Sequence, residues 1–124
     1  MIVLTVYYPY TDHYKFDLDY YVNVHLPLVV KLLSPELKGR TIDKGVSTLD
    51  GSGHPSYVML ARLEFDSRKS LESALAKIAP VADDIAKFTN IKPYFEIEEE
   101  IEDAKFNVKH HSPSSQTNIH RPHL

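Results

Sequence analysis

The chain has seven histidines, eight tyrosines and no cysteine in 124 residues, so its reactive groups centre on imidazole and phenol. The missing cysteine excludes disulfides, thiolate nucleophiles, iron–sulfur clusters and Cys-based zinc sites. His25 draws attention because of its neighbours. Placed on a helical wheel at about 100° per residue, Tyr21, Val22, Leu26, Leu28, Val29, Leu32 and Leu33 share one side, with His25 in their midst. Asn23, Pro27, Tyr20 and Lys31 take the other side. An imidazole aimed at Leu and Val side chains costs free energy unless it finds a tyrosine, carboxylate, carbonyl or ligand. Two readings stand: a core histidine bonded to a neighbour, or a pocket acid/base, since the unperturbed imidazole pKa suits proton transfer near neutrality.

Pro27 belongs to the same stretch and predicts a bend, because its ring leaves the Asn23 carbonyl without the usual donor. A bend beside a buried histidine could open a cavity, or could only wrap the helix around its sheet. Tyr8, Tyr21 and Tyr57 could ring such a cavity and offer phenol donors to an oxygen, or could sit at element edges with their hydroxyls in water. His13, His25 and His54 lack ligand spacing, so no dedicated metal site is expected, and no cofactor motif occurs. Gly51-Ser52-Gly53 is neither a phosphate loop nor a nucleophile elbow, because no helix follows it.

These residues need elements to position them. Residues 2–9 are β-rich, with Ile2, Leu4, Val6 and Tyr8 on one face and Val3, Thr5 and Tyr7 on the other. Asp17 is a suitable N-cap for a helix over Asp19 to Leu33, closed by Pro35 and Gly39. A weaker strand follows over 40–48, then a hairpin connection from Asp50 to His54. Tyr57 to Phe65 is the clearest strand. Asp66 or Ser67 caps a second helix with Leu71, Ala74, Leu75, Ile78, Ala82, Ile85 and Phe88 inward, kinked or split at Pro80. Alternation over 93–101 makes the last strand.

The order β-α-β-β-α-β predicts an α+β, ferredoxin-like fold: a four-stranded antiparallel sheet with two helices on one face. Val3, Tyr7, Val58 and Leu60 would then lie on the uncovered face, which suggests a homodimer packed sheet to sheet. Charge divides the chain into a domain over 1–102 and a polar, His-rich tail over 103–124. Six acids fall between Glu96 and Asp103, and the residues beyond carry Lys105, Lys109 and Arg121 with no acid. The tail ends in Pro122-His123-Leu124, faintly similar to a small-basic-Leu peroxisomal address with proline an atypical opener. The acidic strand edge discourages edge-to-edge pairing.

A net charge of −3 is a poor counter-ion for a phosphate backbone. RNA-binding domains with this element order carry a Gly-aromatic motif on strand 3, which Tyr57-Val58-Met59-Leu60-Ala61-Arg62 lacks, so no nucleic acid is expected. The longest apolar run, Leu26-Pro27-Leu28-Val29-Val30, is far below the roughly 18 residues of a membrane span. The N-terminus shows no basic leader. A cytoplasmic protein without membrane contact is the expectation.

Phe16-Asp17-x-Asp19-Tyr20-Tyr21-x-x-x-His25-x-Pro27-Leu28-Val29 resembles the opening motif of the EthD family, within the dimeric α/β-barrel superfamily. The likeness runs on through Leu37-Lys38-Gly39, Gly45, Tyr57, Phe65-Asp66-Ser67 and Thr89-Asn90-Ile91-x-Pro93, over about residues 1–101, and does not reach the tail. It implies a ferredoxin-like protomer, a homodimer with facing sheets, and a small apolar ligand held between sheet and helices, where the wheel sends His25. The family takes its name from a protein encoded with an ether-degrading oxygenase system. Fungal relatives resemble dehydratases or decarboxylating enzymes of aromatic polyketides, and neighbouring families include lactone isomerases, polyketide cyclases and cofactor-free monooxygenases. Membership therefore narrows ligand class more than reaction.

The expected site is His25 with Tyr21 as catalytic groups, and Tyr8, Tyr57, Leu28, Val29, Met59 and Phe88 around the substrate. His25 would act as acid/base without a cofactor in dehydration, isomerisation or cyclisation of an aromatic, polyketide-like or lactone intermediate. An oxidoreductase would use the same pocket for a reduced aromatic and dioxygen. A non-catalytic accessory protein would simply hold the ligand.

Overall fold

Alternating apolar residues make β1 (Ile2–Pro9) the spine of the sheet in a computed structural model that describes residues 1–102. The expected tail, its histidines and the terminal Pro122-His123-Leu124 lie outside those residues. β1 pairs antiparallel with β3 (Tyr57–Phe65) on one side and β4 (Tyr94–Glu99) on the other, and β2 (Leu37–Lys44) pairs antiparallel with β3. The order β2-β3-β1-β4 is that of a ferredoxin-like α+β sheet. Leu4, Val6, Met59, Ala61, Leu63 and Phe65 are buried on the helix-covered face.

The first helix opens as one α-turn, α1 (Leu18–Tyr20), capped by the Asp17 carboxylate, which accepts from the Tyr20 N–H at 3.1 Å. It is not the continuous α-helix that the pattern predicts. Tyr21–His25 winds as a π-helical turn, with the Leu26 N–H donating to the Tyr21 carbonyl, before α2 (Leu26–Leu33) resumes with Pro27 in its first turn. Proline cannot donate and crowds the preceding turn, and the wider π turn relieves both problems. It also shifts the phase of the wheel. Val22, expected inward, is 48% exposed and Leu28 is only half-buried, whereas Tyr21, His25, Val29 and Leu33 stay in line at four-residue steps.

β2 begins at Leu37 rather than at residue 40, so Gly39 lies in the strand and Ser34, in extended conformation, closes the helix. The pairing register shifts between Leu37 and Gly39, and a Cβ on Gly39 would come to 2.8 Å from Glu64 Oε1. β2 ends at Lys44, and the Gly45 N–H that follows still donates to the Val58 carbonyl at 3.0 Å, in a position so close to the Tyr57 carbonyl that a Cβ would overlap it. The second helix splits before Pro80 into α3 (Arg68–Leu75), capped by Ser67, and α4 (Ala79–Asp84), followed by a 3₁₀ turn (Ile85–Lys87). The split resets the phase, so Val81 is buried and Ala82, expected inward, is exposed.

Beneath the helices the core has an aromatic end and an aliphatic end. The first gathers Tyr8, Tyr21 and Phe88 with Phe16 and Tyr20 against it, and the second gathers Leu4, Leu33, Leu63, Phe65 and Leu71. Each large side chain so buried stabilises by about 1.5–3 kcal/mol. The open face is more polar than the expected apolar surface. Val3 and Thr5 are wholly buried there, beneath a Glu98 carboxylate that accepts from Thr5 Oγ1 at 2.9 Å and Tyr7 OH at 2.8 Å, with Arg62 at 3.4 Å. Val58 packs at the rim with the buried aromatic cluster. No helix among the described residues is long and apolar enough to cross a membrane.

Candidate active site

Three elements converge where the aromatic and aliphatic ends of the core meet. β1 sends Tyr8 up from the sheet. The π turn aligns Tyr21 and His25 one wide turn apart, their rings 5.7 Å apart and nearly parallel. α4 brings Asp84 against them. His25 Nδ1 lies 3.0 Å from Asp84 Oδ2, and both residues are buried. The Tyr20 hydroxyl donates to Asp84 Oδ1 at 2.8 Å, and Lys87 Nζ lies 3.8 Å from the same oxygen. Phe88 backs the imidazole, ring centre to ring centre 4.6 Å.

Burial pushes the His25 pKa below its ordinary value and outweighs the upward pull of Asp84. Burial also works to raise Asp84, but hydrogen bonds from His25 and Tyr20 prevail and hold its carboxyl below the usual range. A neutral imidazole beside a carboxylate donates from Nδ1–H, which leaves the basic Nε2 for a ligand. Burial raises the phenol pKa of both Tyr8 and Tyr21, so both remain protonated donors. The Tyr21 hydroxyl is buried and has no hydrogen-bond partner among the described residues. Such a group costs free energy unless water or a ligand meets it.

Tyr8, Tyr21, His25, Val29, Ala61 and Phe95 contribute to the walls of a mostly apolar cavity of about 30 Å³, room for roughly one water. Of the expected site residues, the fold thus brings His25, Tyr21, Tyr8 and Val29 around one space. Phe88 and Met59 are buried in the same cluster without lining it. Leu28 lies outside the lining, turned away by the phase shift of the π turn. Tyr57 is half-buried at the end of β3 opposite Pro9, past a register shift, and also lies outside. Asp84 and Tyr20 do not follow from the wheel. A signal for Asp84 exists, since it sits three residues after Val81 and four before Phe88, in step with the inward stripe once Pro80 resets it. Among the described residues no group of three His, Asp or Glu side chains could hold a metal ion.

Fold and site together define a ferredoxin-like α+β protein with a buried histidine–aspartate pair between sheet and helices. No protein-family model and no curated protein matches the chain. Solved structures do. The chain is similar to an EthD-like protein from Ralstonia eutropha JMP134, at 30% identity and a TM-score of 0.76, over 85% of this chain and 96% of that one. An ethyl tert-butyl ether D (EthD) family protein from Bacillus halodurans C-125 shares the fold, at 22% identity and a TM-score of 0.65, over 82% and 99% of the two chains. The chain belongs to the EthD family.

Proposed function

We propose that the protein is a cofactor-independent acid/base enzyme acting on a small apolar molecule that carries a carbonyl group. The observation that carries this reading is the Tyr21 hydroxyl, buried without a partner beside an imidazole whose other nitrogen Asp84 holds. In the reaction His25 Nε2 takes a proton from an acidic C–H, and the electron pair moves onto the neighbouring carbonyl oxygen. Tyr21, with Tyr8 near, donates to that oxyanion, and the low-dielectric surroundings strengthen the hydrogen bond. The Asp84 carboxylate stabilises the imidazolium that forms. Returning the proton to a different carbon completes an isomerisation. Giving it to a departing hydroxyl completes a dehydration, with water as the second product.

The narrow cavity favours a second reading, a non-catalytic small-ligand or accessory protein. Deuterium wash-in from D₂O at the acidic C–H of small cyclic ketones and lactones, followed by NMR, separates the two. Catalysed exchange that disappears in His25→Ala supports the enzyme, and binding without exchange supports the accessory protein.

The same reading includes a cytoplasmic homodimer. The dimer is packed sheet to sheet, and its support is the open face, where Tyr7 stands opposite Leu60 and is stacked on Tyr94, which is 47% exposed. Native mass spectrometry should give twice 14.2 kDa, and a lone protomer at micromolar concentration would remove this part.

A further inference from the structure

Resting on that reading of the site, we infer that Phe95 is its entrance and sets its substrate class: a single ring, or a branched skeleton of similar bulk, with an oxygen that Tyr21 can meet. The argument starts from a cross-strand row. Val6 stands opposite Ala61 on β3 and opposite Phe95 on β4, all on the helix-covered face. Along β3, the same face carries Met59 and Leu63 on either side of Ala61. The small side chain between two large ones leaves the space beneath the helix, and Ala61 forms its floor.

As it stands, the space of about 30 Å³ is too small for any carbon skeleton. A substrate needs one wall to move. Tyr8, Tyr21, His25, Val29 and Ala61 are all at most 5% exposed, and displacing them would break the packed core. Phe95 is the most exposed of the lining residues, at 45% on an edge strand, whereas Ile78 and Ile85 on the helical side are half-buried. Its ring, already half in solvent, can turn outward and uncovers only the edge of the cavity beside Val6. What it vacates is one phenyl ring's worth of space, continuous with the floor at Ala61, the Tyr21 hydroxyl and the His25 imidazole. One ring leaves and one ring enters. Fused polycyclic ligands exceed that space.

Phenol and 2-naphthol, titrated into the full-length protein with the His25 ring protons followed by NMR, test the inference. Wild type should bind phenol at least tenfold more tightly than 2-naphthol. Phe95→Ala should bring that preference down at least tenfold, and Ala61→Leu, which fills the floor, should weaken phenol at least tenfold while the amide spectrum stays folded. No phenol binding to the folded wild type, equal affinity for the two probes, or an unchanged preference in Phe95→Ala overturns the inference. If phenol still moves the His25 resonances and is weakened by Tyr21→Phe, only the role of Phe95 has failed. If phenol binds without either response, the site reading itself has failed.

Discussion

Two carboxylates, one on each face of the sheet, are held in almost the same way and serve different ends. Asp84, under the helices, accepts from the Tyr20 hydroxyl at 2.8 Å, and Glu98, on the open face, accepts from the Tyr7 hydroxyl at 2.8 Å. Around Glu98 the remaining donors, Thr5 and Arg62, are met within the protein. Around Asp84 the arrangement leaves something over: a second imidazole nitrogen, an unpartnered Tyr21 hydroxyl and a cavity against both. A buried polar cluster whose groups satisfy one another stiffens a fold. One that ends on an unmet donor beside open space is set for a ligand.

Activity should separate the two faces most widely. His25→Ala should lower catalysed deuterium exchange by roughly 10²–10⁴-fold, the usual contribution of a positioned acid/base. Asp84→Asn should fall in the same direction and also move the acid limb of the pH profile to lower pH, because the carboxylate now pulls the imidazole pKa upward. Glu98→Gln should leave rate and profile unchanged. A loss in Glu98→Gln equal to that in Asp84→Asn would erase the distinction.

Stability should show a smaller contrast. Asp84→Ala removes a charged acceptor from two buried or half-buried donors and should cost about 1.5–3 kcal/mol in urea unfolding. Glu98→Gln keeps an acceptor in a partly exposed network and should stay within about 1 kcal/mol. The His25 shift adds a pH signature. Its folded pKa lies below the unfolded 6.5, so the unfolded chain takes up the proton first. The wild type should therefore lose stability as pH falls below about 6.5 until the folded imidazole also protonates. His25→Gln should abolish that slope.

Much of this was readable in the residues, and the misses share a cause. Alternation in β1 and β3 placed Leu4, Val6, Met59, Ala61 and Leu63 on the covered face, and a polar residue in an apolar stripe singled out His25. A wheel assumes one constant turn, however, and Pro27 forces a wider one, which turns Leu28 and Val22 away from where 100° steps send them. Pro80 resets the second helix similarly, so Val81 and Asp84 face inward in place of Ala82. The partner of His25 lies 59 residues away. Pairing it with Asp84 needs both phase corrections at once, and a periodicity carried across a proline cannot supply them. Glu98 illustrates the converse: an acidic run reads as solvated edge, yet one of its members closes over Thr5 and Tyr7.

The smallest expected effect sharpens the same comparison at alkaline pH. The hydrogen bond to Glu98 is the main reason that the Tyr7 phenol is pushed up to about 12 from the ordinary 10.0, with burial adding to it. Tyr8 and Tyr21 are raised too, but by burial rather than by a carboxylate. A phenol whose folded pKa exceeds its unfolded value contributes stability that is fully present below about 10 and is lost as pH climbs through the folded pKa. Wild type should therefore begin to lose stability above about pH 10, with Tyr7, Tyr8, Tyr21 and the Asp84-bonded Tyr20 all contributing. Glu98→Gln removes the carboxylate, so the Tyr7 share should shrink and the alkaline slope between about 10 and 12 should become shallower without vanishing. Asp84→Asn should leave the Tyr7 share intact. Urea midpoints taken across that range measure it directly, and an unchanged slope in Glu98→Gln would mean that the open-face network does not hold Tyr7 in its neutral form.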